Sequence, residues 1–466
     1  MGFPNNILVV KKELFHFILL IVALIAELLF FNTVQSTQVI INILKFELLF
    51  LYIYVLKTAK THLQWTSIYM FFLFFLGVFE FSRVFLDILG LYHFEWANKF
   101  KDFYFPKKTQ VQILSYLILS LAFIHLGFYF SFFKKRNIRS ELKPELKLGK
   151  IALILFIISF PGIFVKYLIQ FKFILKNGYV AVYNGELNHL TYPIWTYGAG
   201  TLMVISFCIF LASKPTKRKF LIVSALFFLL KTADVLKGGR SKLFLPIIFI
   251  VWYYFMFYSD KKLKIWKIVV FVILGIAISQ FILLSRNSNN VAYGSDILFI
   301  KLFFAQQGIS LLVLGYMIYY KNSFVHHGLP YILYPLTVWG KLKGQTYEFV
   351  QHTLSLGHKL TYFLSPPAYL SGQGIGSSYL GELYDLGIVG FVLGSFIIGY
   401  FIIYFESKVR YNRIWLVLSF FIVESIVYMP RASIFPDINN IIVVLMAYFV
   451  LKGFSDFKFQ NNPQKL

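Results

Sequence analysis

Cysteine, acidic residues and metal-binding motifs are all scarce in this chain. It has one cysteine, Cys208, in 466 residues. That residue lies in an apolar run, which excludes an intrachain disulfide and a cysteine-based metal site and predicts a small buried apolar side chain. The HEXXH spacing and clustered carboxylates are absent too. We therefore expect no metal and no cofactor.

Acidic residues number 20 against 45 lysines and arginines, which gives a net charge of +25. Such an excess could indicate nucleic acid as a partner, but the basic residues form no single patch. They sit in short clusters between apolar runs, as cytoplasmic loops do under the positive-inside bias. The expected partner is a lipid bilayer, with no nucleic acid.

Apolar residues make up 58% of the chain, and the mean hydropathy is +0.70. The apolar runs are continuous and close to the roughly 20 residues that a membrane-spanning helix needs. Since only helix bundles and closed barrels span membranes, they predict an all-α polytopic membrane protein. About twelve spans are predicted, at 14–31, 38–56, 66–87, 111–133, 151–171, 193–213, 219–236, 243–259, 267–285, 386–405, 414–429 and 434–452.

The loops that follow even-numbered spans are rich in lysine and arginine, which predicts that they are cytoplasmic together with both termini. Lys11 and Lys12 precede the first run without a small-residue cleavage site after it, so we expect a retained first helix. The segment 301–320 is apolar enough to be a thirteenth span. Its uncharged part is short, and we interpret it as a helix at the interface or one dipping partway in.

These spans predict three regions: nine transmembrane helices over 1–285, one large external region over 286–385, and three further helices with a tail over 386–466. The external region is too apolar and aromatic to be disordered. We expect it to fold as short helices on the outer membrane face.

Three arginines fall in predicted external turns or loop entrances. Arg240 follows Gly239 in a glycine turn, Arg286 lies at the end of span nine, and Arg431 lies in the turn between the last two spans. Guanidinium groups bind phosphate and keep their charge, so convergence of the three would make a site for a lipid-linked diphosphate. The alternatives are a plain turn at Arg240, a snorkelling side chain at Arg286 and contacts with lipid headgroups.

The stretch 371–390, SGQGIGSSYLGELYDLGIVG, places polar side chains beside glycines. In a helix, Ser378, Glu382 and Asp385 share one face. Glu382 is a candidate base, or else an interfacial anchor or a structural partner of an arginine. The glycines at 372–376 are weak support for phosphate binding, with a flexible turn as the alternative. Gly390 and Gly394 have the spacing of a helix-packing seam.

The third span carries charged residues. Glu80 and Arg83 are three apart and can pair, which would lower the cost of placing them within the membrane. We interpret them as structural or as lining a cavity. As a proton relay with Asp87 they would instead suggest an ion-coupled transporter.

Taken together, the chain resembles the Wzy-type polymerases of O-antigen and other repeat-unit polysaccharides. The resemblance covers nearly the whole chain and rests on four short motifs whose order and placement match: FKFILKNGYVAVYNGE (171–186), GGRSKLFLPIIFI (238–250), SGQGIGSSYLGELYDLGIVGFVLG (371–394) and MPRASIFPDINNII (429–442).

The resemblance implies a GT-C-like helix bundle in a bacterial inner membrane. It also implies an enzyme that joins undecaprenyl-diphosphate-linked oligosaccharides on the outer face, with a chain-length regulator and a flippase as pathway partners. Related O-antigen ligases typically have histidine in the loop-closing motif, whereas this chain has Leu380-Gly381-Glu382 there. That departure favours polymerase over ligase and leaves the base open.

On this interpretation Arg240, Arg286 and Arg431 stabilise the leaving diphosphate without a metal, and Glu382 orients or deprotonates the acceptor hydroxyl. The remaining expected substrate contacts are Gly239, Ser378, Tyr379, Tyr384 and Asp385, with the tyrosine rings stacking on sugars. A lipid-linked oligosaccharide flippase is the main alternative, but it needs no large external region.

Overall fold

The computed structural model describes residues 7–133, 141–177, 190–232, 241–259, 299–324, 329–337, 345–435 and 438–460, with a few positions between 261 and 277. It divides into two compact units. Unit 1 comprises Met1–Arg136, Asp260–Tyr404 and Ser425–Phe435. Unit 2 comprises Asn137–Ser259, Phe405–Glu424 and Pro436–Leu466.

Within these ranges the chain is almost entirely helical. The first half has α1 (Ile7–Thr33), α2 (Gln38–His62), α3 (Ile68–Leu76), a π-helical turn (Gly77–Phe81), α4 (Ser82–Ile88), β1 (Trp96–Ala97), β2 (Phe103–Tyr104), α5 (Lys107–Phe133), α6 (Leu146–Asn177), a 3₁₀ turn (Ile194–Thr196), α7 (Ala199–Ala212), α8 (Lys217–Thr232) and α9 (Ser241–Phe257). The two short strands pair antiparallel, with Trp96 opposite Tyr104.

The second half begins with short helices and ends with long ones. It has α10 (Phe299–Gln307), α11 (Ser310–Tyr319), α12 (Lys321–Phe324), a 3₁₀ turn (Tyr331–Leu333), α13 (Tyr334–Thr337), α14 (Tyr347–His352), α15 (Leu356–Leu364), α16 (Pro366–Leu370), α17 (Tyr379–Tyr384), α18 (Gly387–Lys408), α19 (Arg413–Tyr428), a 3₁₀ turn (Met429–Arg431) and α20 (Ile438–Gln460).

Nine helices in the described part of the chain are long and apolar enough to cross a membrane. They are Lys11–Phe31, Gln38–His62, Ile68–Ile88, Lys107–Phe132, Leu146–Asn177, Ile194–Ala212, Gly387–Lys408, Arg413–Arg431 and Ile438–Asp456. Each coincides with one of the twelve predicted spans. The all-helical membrane class is therefore confirmed, and the total of twelve stays a prediction.

The other three predicted spans are described in part. The span at 219–236 corresponds to α8, which has 16 residues, and the span at 243–259 to the apolar helix Phe244–Phe257. Most of 267–285 lies outside the described residues.

The segment predicted to lie at the interface or dip partway in forms two helices. Lys301–Gln307 and Ser310–Tyr319 meet at an angle of 47°, the shape of a broken span or a re-entrant loop. Residues 310–318 are all buried. The bent pair fits a helix that dips partway in, and whether any part of it lies at the interface stays a prediction.

The core of unit 1 is built around α5, which packs against α1, α2 and α11. His125 is fully buried there, and its two ring nitrogens lie 2.8 Å from the Thr58 hydroxyl and 3.0 Å from the Tyr69 hydroxyl. Both polar atoms of the ring therefore have partners, as a histidine in an apolar interior requires.

Glycines allow α5 and α18 to approach very closely. A Cβ atom at Gly399 would lie 1.8 Å from the carbonyl oxygen of Ile124, and one at Gly127 would lie 2.1 Å from that of Phe396. This contact corrects the predicted seam, because a Cβ at Gly390 or Gly394 would meet the side chains of Leu386 and Leu383 rather than another long helix. The helices pack closely one turn further along α18.

In unit 2, α6 packs along α7, and α20 packs against both. Cys208 on α7 is 1% exposed, as predicted for a small apolar side chain. Arg413 ties loops to this unit: its guanidinium donates to the carbonyl of Ala212 (2.8 Å) and pairs with Glu145 (3.0 Å).

The region predicted to be external forms short helices where it is described, from α12 to α17. Several begin at a capping hydroxyl: Thr346 accepts from the Phe349 amide, and Ser365 from the Ala368 amide. Their position outside the membrane stays a prediction.

The substitution Gly399→Leu should lower the free energy of unfolding by about 1–3 kcal/mol or more, because the new side chain meets the backbone of Ile124, which cannot rotate away as a side chain can. The melting temperature of the detergent-solubilised protein measures this. Gly453→Leu is the matched control, since no atom lies within 4 Å of a Cβ there. Equal melting temperatures for the two variants would contradict the close contact.

Candidate active site

A π-helical turn directs the carboxylate of Glu80 into the interior of unit 1. Gly77 begins this turn, Gly77–Phe81, and a Cβ at Gly77 would lie 2.3 Å from the hydroxyl oxygen of Tyr52. That hydroxyl donates to the carbonyl of Leu73 at 3.1 Å. A side chain inserted against the helix backbone is a known cause of such turns. The bulge leaves Glu80 with no solvent exposure.

Glu80 contacts the glycine-rich stretch that was singled out from the sequence. The Ser378 hydroxyl, itself fully buried, donates to Oε1 of Glu80 at 2.5 Å. Oε2 of Glu80 is also buried and has no hydrogen-bond partner among the described residues. Buried polar atoms without a partner are uncommon and often belong to functional sites.

Glu382 joins the same stretch to the arginine turn. Its side chain is 1% exposed; Oε1 accepts from the Ser377 hydroxyl (3.1 Å) and Oε2 from the Ile434 amide (3.0 Å). Burial raises the pKa of Glu382 to about 7, although hydrogen bonds from Ser433, Ile434 and Ser377 oppose that rise. A carboxyl with a pKa near neutrality suits acid–base chemistry.

The glycines at 372–376 make the turn that leads into this contact. Gly372 and Gly376 have φ angles of 87° and 88°, a backbone conformation that favours glycine. The carbonyl oxygen of Arg431 lies 3.7 Å from the position of a Cβ on Gly376. These glycines thus permit a sharp turn beside Arg431.

The break between α10 and α11 is held by side chains from α4. The last carbonyls of a helix have no partner within it. Ser82 donates to the carbonyl of Phe304 (2.9 Å), and Arg83 to that of Ala305 (3.0 Å). Gly308 leaves room for the Ser82 side chain, because a Cβ atom at this position would lie 2.6 Å from the Ser82 hydroxyl oxygen.

Arg431 reaches the same helix end from the turn Met429–Arg431. It donates to the carbonyl of Gln307 at 3.3 Å, and its guanidinium lies 5.7 Å from the centre of the Phe79 ring. Its charge interacts attractively with Glu80 and repulsively with Arg83. The C-terminal end of a helix favours such cations. Among the described residues its guanidinium makes this one hydrogen bond, which leaves other N–H groups of the half-buried arginine for a ligand.

Lys99 is a further cation at this place. It lies in the loop between α4 and α5 and is partly buried. Burial and the neighbouring charge of Arg431 both lower the pKa of its ammonium group. The fold therefore holds two cations near each other, an arrangement that a bound anion would stabilise.

The predicted pairing of Glu80 with Arg83 is wrong. Arg83 is 2% exposed and uses its guanidinium on three other groups: the carbonyls of Ala305 and Trp96 and the side chain of Asn98. Five donors in a planar fork suit several acceptors.

One group of described residues has metal-ligand spacing. Ligand atoms of Asp87, His93 and Glu95 lie within 4.8 Å of one another. However, Asp87 forms an ion pair with Lys45, which neutralises the carboxylate, and His93 lies 3.8 Å from Glu95. We interpret this group as an ion-pair cluster.

The remaining predicted substrate contacts face different neighbours. Asp385 is 4% exposed, and its Oδ2 accepts from the Tyr331 amide at 3.1 Å. Tyr379 is fully buried and shares a 2.9 Å hydrogen bond with Ser120, and Tyr384 is 7% exposed. Neither ring is open to a sugar in this structure, so their stacking role stays a prediction.

Six of the predicted site residues thus lie in unit 1: Ser378, Tyr379, Glu382, Tyr384, Asp385 and Arg431. Glu382 binds the amide of Ile434, three residues after Arg431, and the carbonyl of Arg431 lies beside Gly376. Gly239, Arg240 and Arg286 lie outside the described residues.

The sequence analysis did not single out Lys99, and it interpreted Glu80 as structural or as lining a cavity. The only sequence signal for Lys99 was its position in a loop predicted to be external, where lysine and arginine are less frequent. For Glu80 the sequence signal was its position within a predicted span, because ionisable residues inside the membrane are functional candidates by default.

Nine apolar helices and a buried polar centre define a multi-pass membrane protein. A family model described as O-antigen polysaccharide polymerase Wzy matches residues 13–462, and the chain belongs to this family. No curated protein matches the chain, and neither does any solved structure. Members of the family are glycosyltransferase-type polymerases that act on lipid-linked oligosaccharide repeat units, and membership favours polymerase over flippase, ligase and transporter.

Glu382→Ala should reduce stability, because it leaves the buried Ile434 amide without an acceptor, at a cost of about 1–3 kcal/mol. Glu382→Gln keeps an acceptor oxygen and should unfold close to the wild-type temperature. The exposed Glu348→Ala is the control. If all three variants melt together, the Glu382 contact does not hold the arginine turn.

Proposed function

We propose that this protein joins undecaprenyl-diphosphate-linked oligosaccharide units on the outer face of a bacterial inner membrane, with both termini in the cytoplasm. The family supports the polymerase, and the cation-rich loops between spans support the orientation. The product is an O-antigen, a capsule or a similar polysaccharide. A flippase and a chain-length regulator are proposed as partners in the same pathway.

The observation that carries this proposal is Arg431, held at the end of α10 by a 3.3 Å hydrogen bond to the Gln307 carbonyl, with Lys99 within range of its charge. They come from segments more than 300 residues apart, and the charge of one lowers the pKa of the other. The diphosphate of a lipid-linked donor would supply a multiply charged anion for this pair. Arg431 offers bidentate hydrogen bonds, and Lys99 a compact charge.

The reaction breaks the bond between the anomeric carbon of the growing chain and the diphosphate oxygen. A hydroxyl oxygen of the incoming unit forms the new glycosidic bond, its proton passes to a base, and the lipid diphosphate leaves with the bonding electrons. Cations fixed at the leaving group stabilise the charge that develops there. Because the protein itself supplies these cations, we propose that no metal is needed.

Glu382 is the proposed base, since its pKa of about 7 leaves much of it ionised at neutral pH. Glu80 is a second candidate, favoured by its unpartnered buried Oε2. Arg240, Arg286 and Gly239 are proposed to complete the diphosphate site. Ser378, Tyr379, Tyr384 and Asp385 are proposed to line the path of the sugars.

Arg431→Gln should reduce polymerisation by about 10²-fold or more, because it removes charge stabilisation of the leaving group. The measurement is the length and amount of the repeat-unit ladder made by a membrane-inserted variant. Lys99→Gln should cause a smaller loss in the same direction.

Lys321→Gln, at an exposed position of α12, controls for a general loss of positive charge. Chelator should leave the wild-type ladder unchanged. A normal ladder from the combined Arg431→Gln, Lys99→Gln variant would refute the cation site.

If Glu382 accepts the proton, the polymerisation rate should rise roughly tenfold from pH 6 to pH 8, since only the ionised carboxylate is a base and its pKa is about 7. Glu382→Gln should be slow and lose this dependence, whereas Glu80→Gln should keep it. The opposite pattern would assign the base to Glu80. Retention of the wild-type pH profile by both variants would exclude both carboxylates.

A further inference from the structure

A cavity of about 180 Å³ lies among the short helices of unit 1. One water needs about 10–15 Å³ of such volume, so the cavity has room for a polar ligand of several heavy atoms. Its lining consists of Ser323, Phe324, Leu329, Tyr331, Leu354, Lys359 and Asp385.

One wall of the cavity is rigidly built. Oδ2 of Asp385 accepts from the Tyr331 amide at 3.1 Å, and the Tyr331 hydroxyl donates to the carbonyl of Phe324 at 3.3 Å. The rings of Phe324 and Tyr331 are stacked, with centroids 5.6 Å apart and planes at 18°. A wall fixed before binding lowers the entropy lost when a ligand is bound.

Lys359 places an ammonium group in the lining of the cavity. It lies on α15 at an intermediate exposure, and within the described residues it makes neither an ion pair nor a hydrogen bond. An ammonium group carries three donors and no acceptor. A ligand that offers oxygen atoms would give it partners.

The lining chemistry selects the class of ligand. A fully apolar ligand would remove water from Lys359 and Asp385 without replacing their hydrogen bonds. A phosphate group would be repelled by the Asp385 carboxylate. An uncharged sugar ring satisfies both, since its hydroxyls donate to a carboxylate, accept from an ammonium, and leave C–H faces for aromatic rings.

We propose that this cavity binds one uncharged pyranose of the lipid-linked repeat unit and so contributes to recognition of the sugar. The proposal rests on the proposed function. Asp385 caps the helix that carries Glu382 three residues earlier, a backbone rise of about 4.5 Å, so the cavity wall and the proposed base belong to one short helix. Sugar recognition is thereby separated from the cations that hold the diphosphate.

The test uses the full-length protein in detergent and the free oligosaccharide repeat unit, released from the polysaccharide of the source bacterium without lipid or diphosphate. Saturation-transfer difference NMR measures its binding. Ser323→Trp fills the cavity from an exposed position, and Lys359→Met removes the unpaired ammonium. Both should weaken binding at least tenfold, with Lys359→Arg close to wild type.

Asn322→Trp is the matched control, because Asn322 is exposed on the same helix and lies outside the cavity lining. Unchanged binding in Ser323→Trp and Lys359→Met, or no saturation transfer from the wild-type protein to the oligosaccharide, would overturn the proposal. Polymerisation of lipid-linked units is measured in parallel. Loss of sugar binding in the two variants, together with a wild-type protein that never polymerises, would refute the proposed function and leave the sugar site standing.

Discussion

The carbonyl groups at the end of a broken helix set the geometry of the centre of unit 1. The last carbonyls of α10, which ends at Gln307, need hydrogen-bond donors. The interior of a membrane protein offers little water for this purpose, so the protein itself must provide them. Ser82, Arg83 and Arg431 donate to the carbonyls of Phe304, Ala305 and Gln307, and the Gly308 amide also donates to that of Phe304. The three side chains come from two distant parts of the chain, so satisfying one helix end brings the third span and the arginine turn together.

This requirement also accounts for the arrangement around the glycine-rich stretch. Once Arg431 is anchored, the residues after it place the Ile434 amide against Glu382. The π-helical turn points Glu80 at Ser378 from the other side. Neighbouring atoms thus serve the structure and the proposed chemistry. Within the part of the chain that the structure describes, Arg431 donates one N–H to a carbonyl, and Oε2 of Glu80 has no hydrogen-bond partner.

Hydropathy located the long helices well, because the thickness of a bilayer fixes their length whatever they pack against. It could not show the bend near Gly308, which depends on Ser82 and Arg83 more than 200 residues away. The pairing of Glu80 with Arg83 was inferred from their spacing in an ideal helix. The π-helical turn changes that spacing, and backbone carbonyls compete for the guanidinium.

Glycine patterns show the same limit. Gly390 and Gly394 have the expected spacing, yet Gly127 and Gly399 make the close contact, since helix rotation decides which glycine meets a neighbouring backbone. In the candidate site, Glu382 and Arg431 could be chosen from the sequence because they are ionisable residues in special local settings. Lys99 could not, because its importance lies in a neighbour that only the tertiary structure provides.

The most direct test of the account is reconstitution of the purified protein in liposomes with a synthetic undecaprenyl-diphosphate-linked repeat unit. Mass spectrometry would count the units added to the chain and the lipid diphosphate released. The account predicts a ladder of products with one lipid diphosphate released for each unit joined, in the presence of chelator as in its absence. Units that remain single, or that only move between leaflets, would contradict it.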